Sequence, residues 1–180
     1  MLGEICAIIL LIIISPFFVI TALLVLIFSG KPIFYKHKRC GFQYEEFDII
    51  KFRTMHPNNG PQLTEYKDNR ITNIGKILRK FKLDELPQLI NIIKGEMVFV
   101  GPRPALYNQD DLVELRTRVG VHELMPGVTG WAQVNGRDEL SIPVKVQFDE
   151  YYLKNRSWFL DLKIVFLTLL RVLGMKGVSH

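Results

Sequence analysis

Little in this 180-residue chain answers to the common ways of building a small enzyme. It holds two cysteines, Cys6 and Cys40, far apart and without CxxC or metal-ligand spacing. That excludes a disulfide scaffold and a dithiol redox centre, and a reducing compartment is the simpler setting. His37, His56, His122 and His180 are scattered, with no HExxH and no His-Cys cluster, which removes the usual zinc hydrolases. Neither GxxxxGK[ST] nor GxGxxG occurs, so a bound nucleotide would not rest in either familiar phosphate loop. Positive charge is missing from one region altogether, since no Lys or Arg precedes Lys31.

That uncharged region is the most telling part of the chain. From Leu2 to Phe28 only Gly3, Glu4, Ser15, Pro16 and Thr21 interrupt an apolar run. Roughly 25 such residues make a helix of about 37 Å, enough to cross a hydrocarbon core of about 30 Å. The run is too long for a cleavable signal core, no basic residue leads it, and no Ala-x-Ala site follows it. Pro16 removes an amide hydrogen in mid-helix and favours a kink there, while the Ser15 hydroxyl can satisfy the freed carbonyl. On the residues alone a single kinked span is the preferred path, with a re-entrant hairpin as its alternative. Lys31, Lys36, Lys38 and Arg39 come directly afterwards, the flank that the positive-inside rule assigns to the cytoplasm.

All 23 Lys and Arg but only 17 of the 18 acidic residues lie from Lys31 onward, so this part favours anionic partners such as phospholipid headgroups or nucleotides. Extended pieces at Ile33–Tyr35 and Phe47–Arg53 flank the turn-prone Arg39-Cys40-Gly41 and predict a short β-hairpin. His56 to Asn69 is polar with two prolines and reads as a loop. Ile74, Ile77, Leu78 and Phe81 repeat at helical spacing opposite Lys76, Arg79, Lys80 and Lys82, a basic amphipathic helix. It suits a solvated face over a core, or contact with phosphate or a membrane surface.

In Leu83-Asp84-Glu85-Leu86-Pro87-Gln88 the proline marks a helix start, which puts Asp84 at or near the N-cap. Most aspartates in such a place do no more than cap. Prolines on both sides of Arg103 present its guanidinium from a stiff loop, and Met97–Val100 before it reads as a short strand or buried turn. The glycine-rich stretch from Pro126 to Arg137 has the composition of a loop that approaches a ligand. Trp158 to Leu173 is apolar but broken by Asp161, Lys163, Thr168 and Arg171, so it belongs in the membrane interface or beneath it.

Taken in order, the Ser15-Pro16 break, Lys51-Phe52-Arg53-Thr54-Met55, Leu83-Asp84-Glu85-Leu86-Pro87-Gln88-Leu89, Gly101-Pro102-Arg103-Pro104 and Gly127-Val128-Thr129-Gly130-Trp131-Ala132-Gln133-Val134-Asn135-Gly136-Arg137 resemble the bacterial sugar transferases known as monotopic phosphoglycosyl transferases. The resemblance runs over nearly the whole chain, which would correspond to the catalytic core of larger relatives. It implies an α+β, helix-dominated fold: a re-entrant membrane helix over residues 1–30, then a small cytoplasmic catalytic domain over 31–180 with amphipathic interfacial helices and a short hairpin. The setting implied is the bacterial inner membrane, with Ser15 and Pro16 at the re-entry.

The resemblance also implies an Asp-Glu dyad, matched by Asp84 and Glu85, with Mg²⁺ at the dyad and a ping-pong reaction. Asp84 would attack the sugar-bearing phosphorus of a UDP-sugar, release UMP, and pass the phosphosugar to polyprenyl (undecaprenyl) phosphate. Arg79 and Arg103, with Arg137 beside them, are the candidates for holding phosphate oxygens. A metal-dependent glycosyltransferase is the competing enzyme class, and the Asp-x-Asp it commonly carries is absent. An aspartyl phosphatase would need no lipid-facing surface. A basic membrane adaptor or nucleic-acid binder would rest on the pI of 9.2 alone, which lipid and nucleotide phosphates explain without nucleic acid.

Overall fold

The computed structural model describes residues 2–56, 68–136 and 140–174. Most of the expected 56–69 loop therefore lies outside the described residues.

Helix α1 (Leu2–Ser29) is one element of 28 residues that runs on through Ser15 and Pro16. The proline leaves the Ile12 carbonyl without its usual donor. The Ser15 hydroxyl takes that place, donating to Ile12 O at 2.8 Å, as its position beside the proline predicts. The helix closes at Gly30, whose φ of +73° is the left-handed conformation favoured by glycine after a last turn. The buried Arg53 guanidinium then caps the end, donating to the carbonyls of Ser29, Gly30 and Lys31.

Both halves of α1 pack on the rest of the chain. Ala7, Leu11 and Ile14 join a core with Ile49, Leu89, Ile92 and Met97, while Phe18, Ala22 and Val25 join another with Phe52 and Leu78. The opposite face carries Ile12, Ile13, Phe17 and Ile27, each about two-thirds exposed. An apolar strip of that length is costly in water and suits hydrocarbon.

The hairpin forms as expected. Strands β1 (Phe34–Cys40) and β2 (Glu46–Phe52) pair antiparallel from Phe34 opposite Phe52 to Cys40 opposite Glu46. The reversal sits later than anticipated, through a 3₁₀ turn at Phe42–Tyr44 where Gln43 and Tyr44 both have positive φ. Phe52 stacks on Phe34 and meets Phe18 of α1, fixing the sheet against that helix.

Helix α2 (Asn73–Lys80) starts at Thr72, whose hydroxyl accepts from the Gly75 amide at 3.0 Å. Of its expected apolar face Leu78 is buried, whereas Ile77 and Phe81 remain exposed beside Lys80. That leaves an apolar and basic outer surface, the composition of an interfacial helix. A 3₁₀ turn at Leu83–Glu85 leads into α3 (Gln88–Ile93).

Strand β3 (Val98–Val100) pairs in parallel with β5 (Gly127–Thr129), and β4 (Ala105–Leu106) adds a third strand beside β1. The glycines of the expected ligand loop have another task here. A Cβ on Gly127 would lie 2.1 Å from the Gly101 amide nitrogen, and one on Gly130 would lie 2.1 Å from the Gly101 carbonyl oxygen. They allow two backbones to meet, and the stretch that reads as a loop becomes a strand followed by α5 (Trp131–Asn135).

Helices α4 (Asp110–Arg118) and α6 (Ile142–Asn155) pack together around a buried ion pair, Arg116 with Asp149. Helix α7 (Trp158–Gly174) buries Ile164 against Val100, Leu124, Val134 and Tyr152. Its outer side is apolar as well, with Phe159 at 86% exposure and Leu173 at 74%. The polar interruptions Asp161 and Thr168 turn inward, bonding Tyr152 and Thr129. The fold is thus helix-dominated α+β, with one N-terminal helix long and apolar enough to enter a bilayer.

Candidate active site

Asp84 sits one turn ahead of α3, within the 3₁₀ turn, and not at the N-cap; Pro87 occupies that position. Lys82, in the left-handed conformation at φ 58°, reverses the chain after α2 and drives Asp84 inward against β2. The side chain is 7% exposed, and its Oδ1 is buried without a hydrogen-bond partner. Such an orphan is rare in native proteins, because leaving a buried charged oxygen unpaired is costly. Burial, and next the negative charge of Glu85, push the Asp84 carboxyl above the ordinary aspartate range. Lys51, Lys82 and Arg79 pull it back. With Pro87 at the N-cap, the positive charge around Asp84 comes from these three side chains.

The segment Lys51 to Thr54 organises these neighbours. Lys51 Nζ reaches Glu85 Oε1 at 2.7 Å, with both side chains mostly buried. Arg53 caps α1, and Thr54 Oγ1 accepts from Arg79 Nε at 2.9 Å. The end of β2 thereby ties α1, the dyad and the candidate phosphate arginine into one unit. The sequence alone marks Lys51 and Thr54 as part of a motif and gives neither a role. A lysine and a threonine separated from their partners by more than twenty residues leave no local periodicity that would reveal the pairing.

Arg103 belongs to a loop held from both sides. Arg116 donates to its carbonyl at 2.8 Å while forking onto Asp149 Oδ2 at 2.6 and 3.0 Å, and Arg39 reaches the Pro104 carbonyl at 3.3 Å. The Arg103 side chain, together with Lys82, Glu85 and Arg171, lines a cleft of about 290 Å³ between α1 and α7. Asp84 lies outside that lining. Asp84, Glu85 and Arg79 are thus brought together around β2, and Arg103 joins them through the cleft it shares with Glu85. Arg137 lies outside the described residues, and Ser15 and Pro16 stay within α1, apart from the dyad.

Among the described residues no three His, Cys, Asp or Glu cluster as metal ligands, and the dyad supplies two adjacent carboxylates at this site. Mg²⁺ commonly takes one or two carboxylates and completes its shell with water and substrate phosphate. The open Oδ1 of Asp84 beside Glu85 fits that donor set.

The chain matches the family described as bacterial sugar transferase over residues 1–175. It is 42% identical over 154 residues to an uncharacterized sugar transferase, EpsL, of Bacillus subtilis, covering 84% of this chain and 75% of that one. It is 38% identical over 168 residues to the UDP-N-acetylgalactosamine-undecaprenyl-phosphate N-acetylgalactosaminephosphotransferase of Aeromonas hydrophila, and 38% identical over 184 residues to the UDP-glucose:undecaprenyl-phosphate glucose-1-phosphate transferase of Xanthomonas campestris. These matches take in 88% and 96% of this chain but only 40% and 38% of those longer proteins.

Proposed function

For a chain that belongs to the bacterial sugar transferase family, we propose that Asp84 is the nucleophile of a two-step transfer of a sugar 1-phosphate from a UDP-sugar to a polyprenyl phosphate. The buried, unpartnered Asp84 Oδ1, flanked by the Lys51–Glu85 pair, is the observation that carries this reading. A carboxylate oxygen left without a donor, yet surrounded by three cations, is free to form a new bond to an incoming phosphorus.

In the first step an Asp84 carboxylate oxygen bonds the sugar-bearing phosphorus. The bridge to the other phosphate breaks, and UMP departs with the bond's electron pair. In the second, a phosphate oxygen of the polyprenyl phosphate attacks the same phosphorus and Asp84 leaves as carboxylate, giving a polyprenyl diphosphate sugar. No proton has to be removed from either nucleophile, so the demands on the protein are charge neutralisation and alignment. Arg79 and Arg103 hold phosphate oxygens, and Lys51 fixes Glu85 while lowering the cost of ionised Asp84. Mg²⁺, held by Asp84 and Glu85, supplies further neutralisation of the donor diphosphate when bound.

The membrane arrangement follows from the same reading. Helix α1 meets the domain near its start, through Ala7, and near its end, through Val25. A straight span would carry one of those ends to the far side of the bilayer, away from the domain. Contact at both ends supports a re-entrant path with the catalytic domain on the cytoplasmic face, beside the lipid phosphate it must reach. The work done there would be the first membrane step in assembling a glycoconjugate. The sugar is left open, since the two named relatives take different ones.

The test is to hold the protein in nanodiscs with Mg²⁺, polyprenyl phosphate and a panel of UDP-sugars. UMP released by the wild type and lost in Asp84→Asn is the expected outcome, and the active donor names the sugar. UDP in place of UMP would overturn phosphosugar transfer in favour of glycosyl transfer.

A further inference from the structure

The cleft between α1 and α7 is apolar over most of its wall. Leu10 of α1, Leu86, Phe99, Val128, and Val165 and Leu169 of α7 all face it. Its charged groups are Glu85 and three cations, Lys82, Arg103 and Arg171, an excess of positive charge in an apolar surround. A UDP-sugar is polar along its whole length and leaves such a wall unused. The wall calls for a ligand with a hydrocarbon body and an anionic end.

The cleft also opens onto the exposed apolar faces of α1 and α7. Leu10, Val165 and Leu169 line it while remaining 38%, 37% and 55% exposed. Val165 and Leu169 continue the outward apolar face that Leu162, Phe166 and Leu173 form along α7. The wall is fastened from inside, where Thr168 and Thr129, both lining the cleft, bond each other at 2.7 Å and tie α7 to β5. A chain lying in the bilayer can enter sideways and place its anionic end among Lys82, Arg103 and Arg171.

We propose that this cleft is the acceptor site, taking the first isoprene units of a polyprenyl phosphate, with Arg171 and Lys82 joining Arg103 around its phosphate. The proposal rests on the reading that a polyprenyl phosphate is the acceptor. A phosphate monoester carries up to two negative charges where a diacyl phospholipid's diester carries one, and this charge favours the monoester among three cations. A single isoprenoid chain also needs one groove, whereas a diacyl lipid would have to seat two.

The test has two arms. In nanodiscs, a polyprenyl phosphate analogue with a diazirine in its first isoprene units is cross-linked and the adducts are mapped by peptide mass. Adducts on Val165 to Val172 and around Leu10, competed by farnesyl phosphate and not by phosphatidylglycerol, are expected. Adducts confined elsewhere, or competed equally by phosphatidylglycerol, would overturn the acceptor site and leave a general lipid contact. This arm needs no turnover, so it tests the cleft even if no UDP-sugar releases UMP, the result that would sink the functional reading.

In the second arm, Val165→Trp fills the cleft from a half-exposed position. The acceptor KM should rise at least tenfold while the donor KM and the single burst of UMP without acceptor stay at the wild-type level. An unchanged acceptor KM in a variant that still gives the burst would count against the cleft.

Discussion

Two aspartates, Asp84 and Asp149, are almost fully buried, and their surroundings differ in one respect that separates chemistry from architecture. Asp149, 1% exposed, receives two hydrogen bonds from Arg116 and links α6 to α4 and to the Arg103 loop. Asp84, 7% exposed, has cations around it but no donor on Oδ1. Burial raises both carboxyls above the ordinary aspartate range. Arg116 offsets part of that cost for Asp149 through two hydrogen bonds, whereas Asp84 Oδ1 receives none.

Substitution at each aspartate should break this contrast in opposite ways. Asp84→Asn should lower UMP release by on the order of a thousandfold or more, because an amide replaces the carboxylate proposed to bond phosphorus. The same variant should be more heat-stable than wild type at pH 8. A raised folded-state pKa means that the favourable contribution is present below the unfolded value of 3.8 and is lost as pH rises through the folded value, so ionised Asp84 weighs on the native state. The stability gap between variant and wild type should therefore close as pH falls toward 4, which a series of melting curves would read.

At Asp149 stability should move the other way although burial raises that carboxyl too, because its substitution strands the buried Arg116 guanidinium. Removing either member of the pair, by Asp149→Asn or Arg116→Met, leaves a buried partner uncompensated and should cost about 3–5 kcal/mol. For a protein of this size that is a fall in melting temperature of roughly 6–20 °C. The double variant Arg116→Met with Asp149→Leu should recover much of the loss, since two apolar side chains strand no charge.

How far this contrast could be seen beforehand depended on whether its partners were local. The hairpin at Phe34 to Phe52, the apolar helix, the basic α2 and the role of Ser15 were readable, because each rests on periodicity or on neighbouring residues. Residue order also marked Asp84 and Glu85, through resemblance more than through physics. What stayed hidden was long-range: Lys51 reaching Glu85, Arg53 capping α1, Arg116 crossing to Asp149 and to the Arg103 carbonyl. The strands β4 and β5 were missed because two or three residues are too few to show alternation. The glycines of β5 point to a loop until Gly101 is seen to need them.

Smaller effects are expected at the residues around Asp84. Lys51→Met removes the foremost of the cations that pull the Asp84 carboxyl down, so the acidic limb of the pH profile for UMP release should move to higher pH. Lys51→Arg should keep the limb near its wild-type position. Thr54→Val deletes the acceptor that orients Arg79 and should cost about 0.5–1.5 kcal/mol of donor binding, a two- to tenfold rise in donor KM.

Whether Asp84 forms a bond to phosphorus is read by intact-mass measurement after mixing the protein with Mg²⁺ and its UDP-sugar, without acceptor. A mass increase of one phosphosugar, mapped to Asp84, absent in Asp84→Asn and discharged by polyprenyl phosphate, is the predicted result. Polyprenyl diphosphate sugar formed with no adduct at any time, by a protein that turns over only when donor and acceptor are both present, would contradict it.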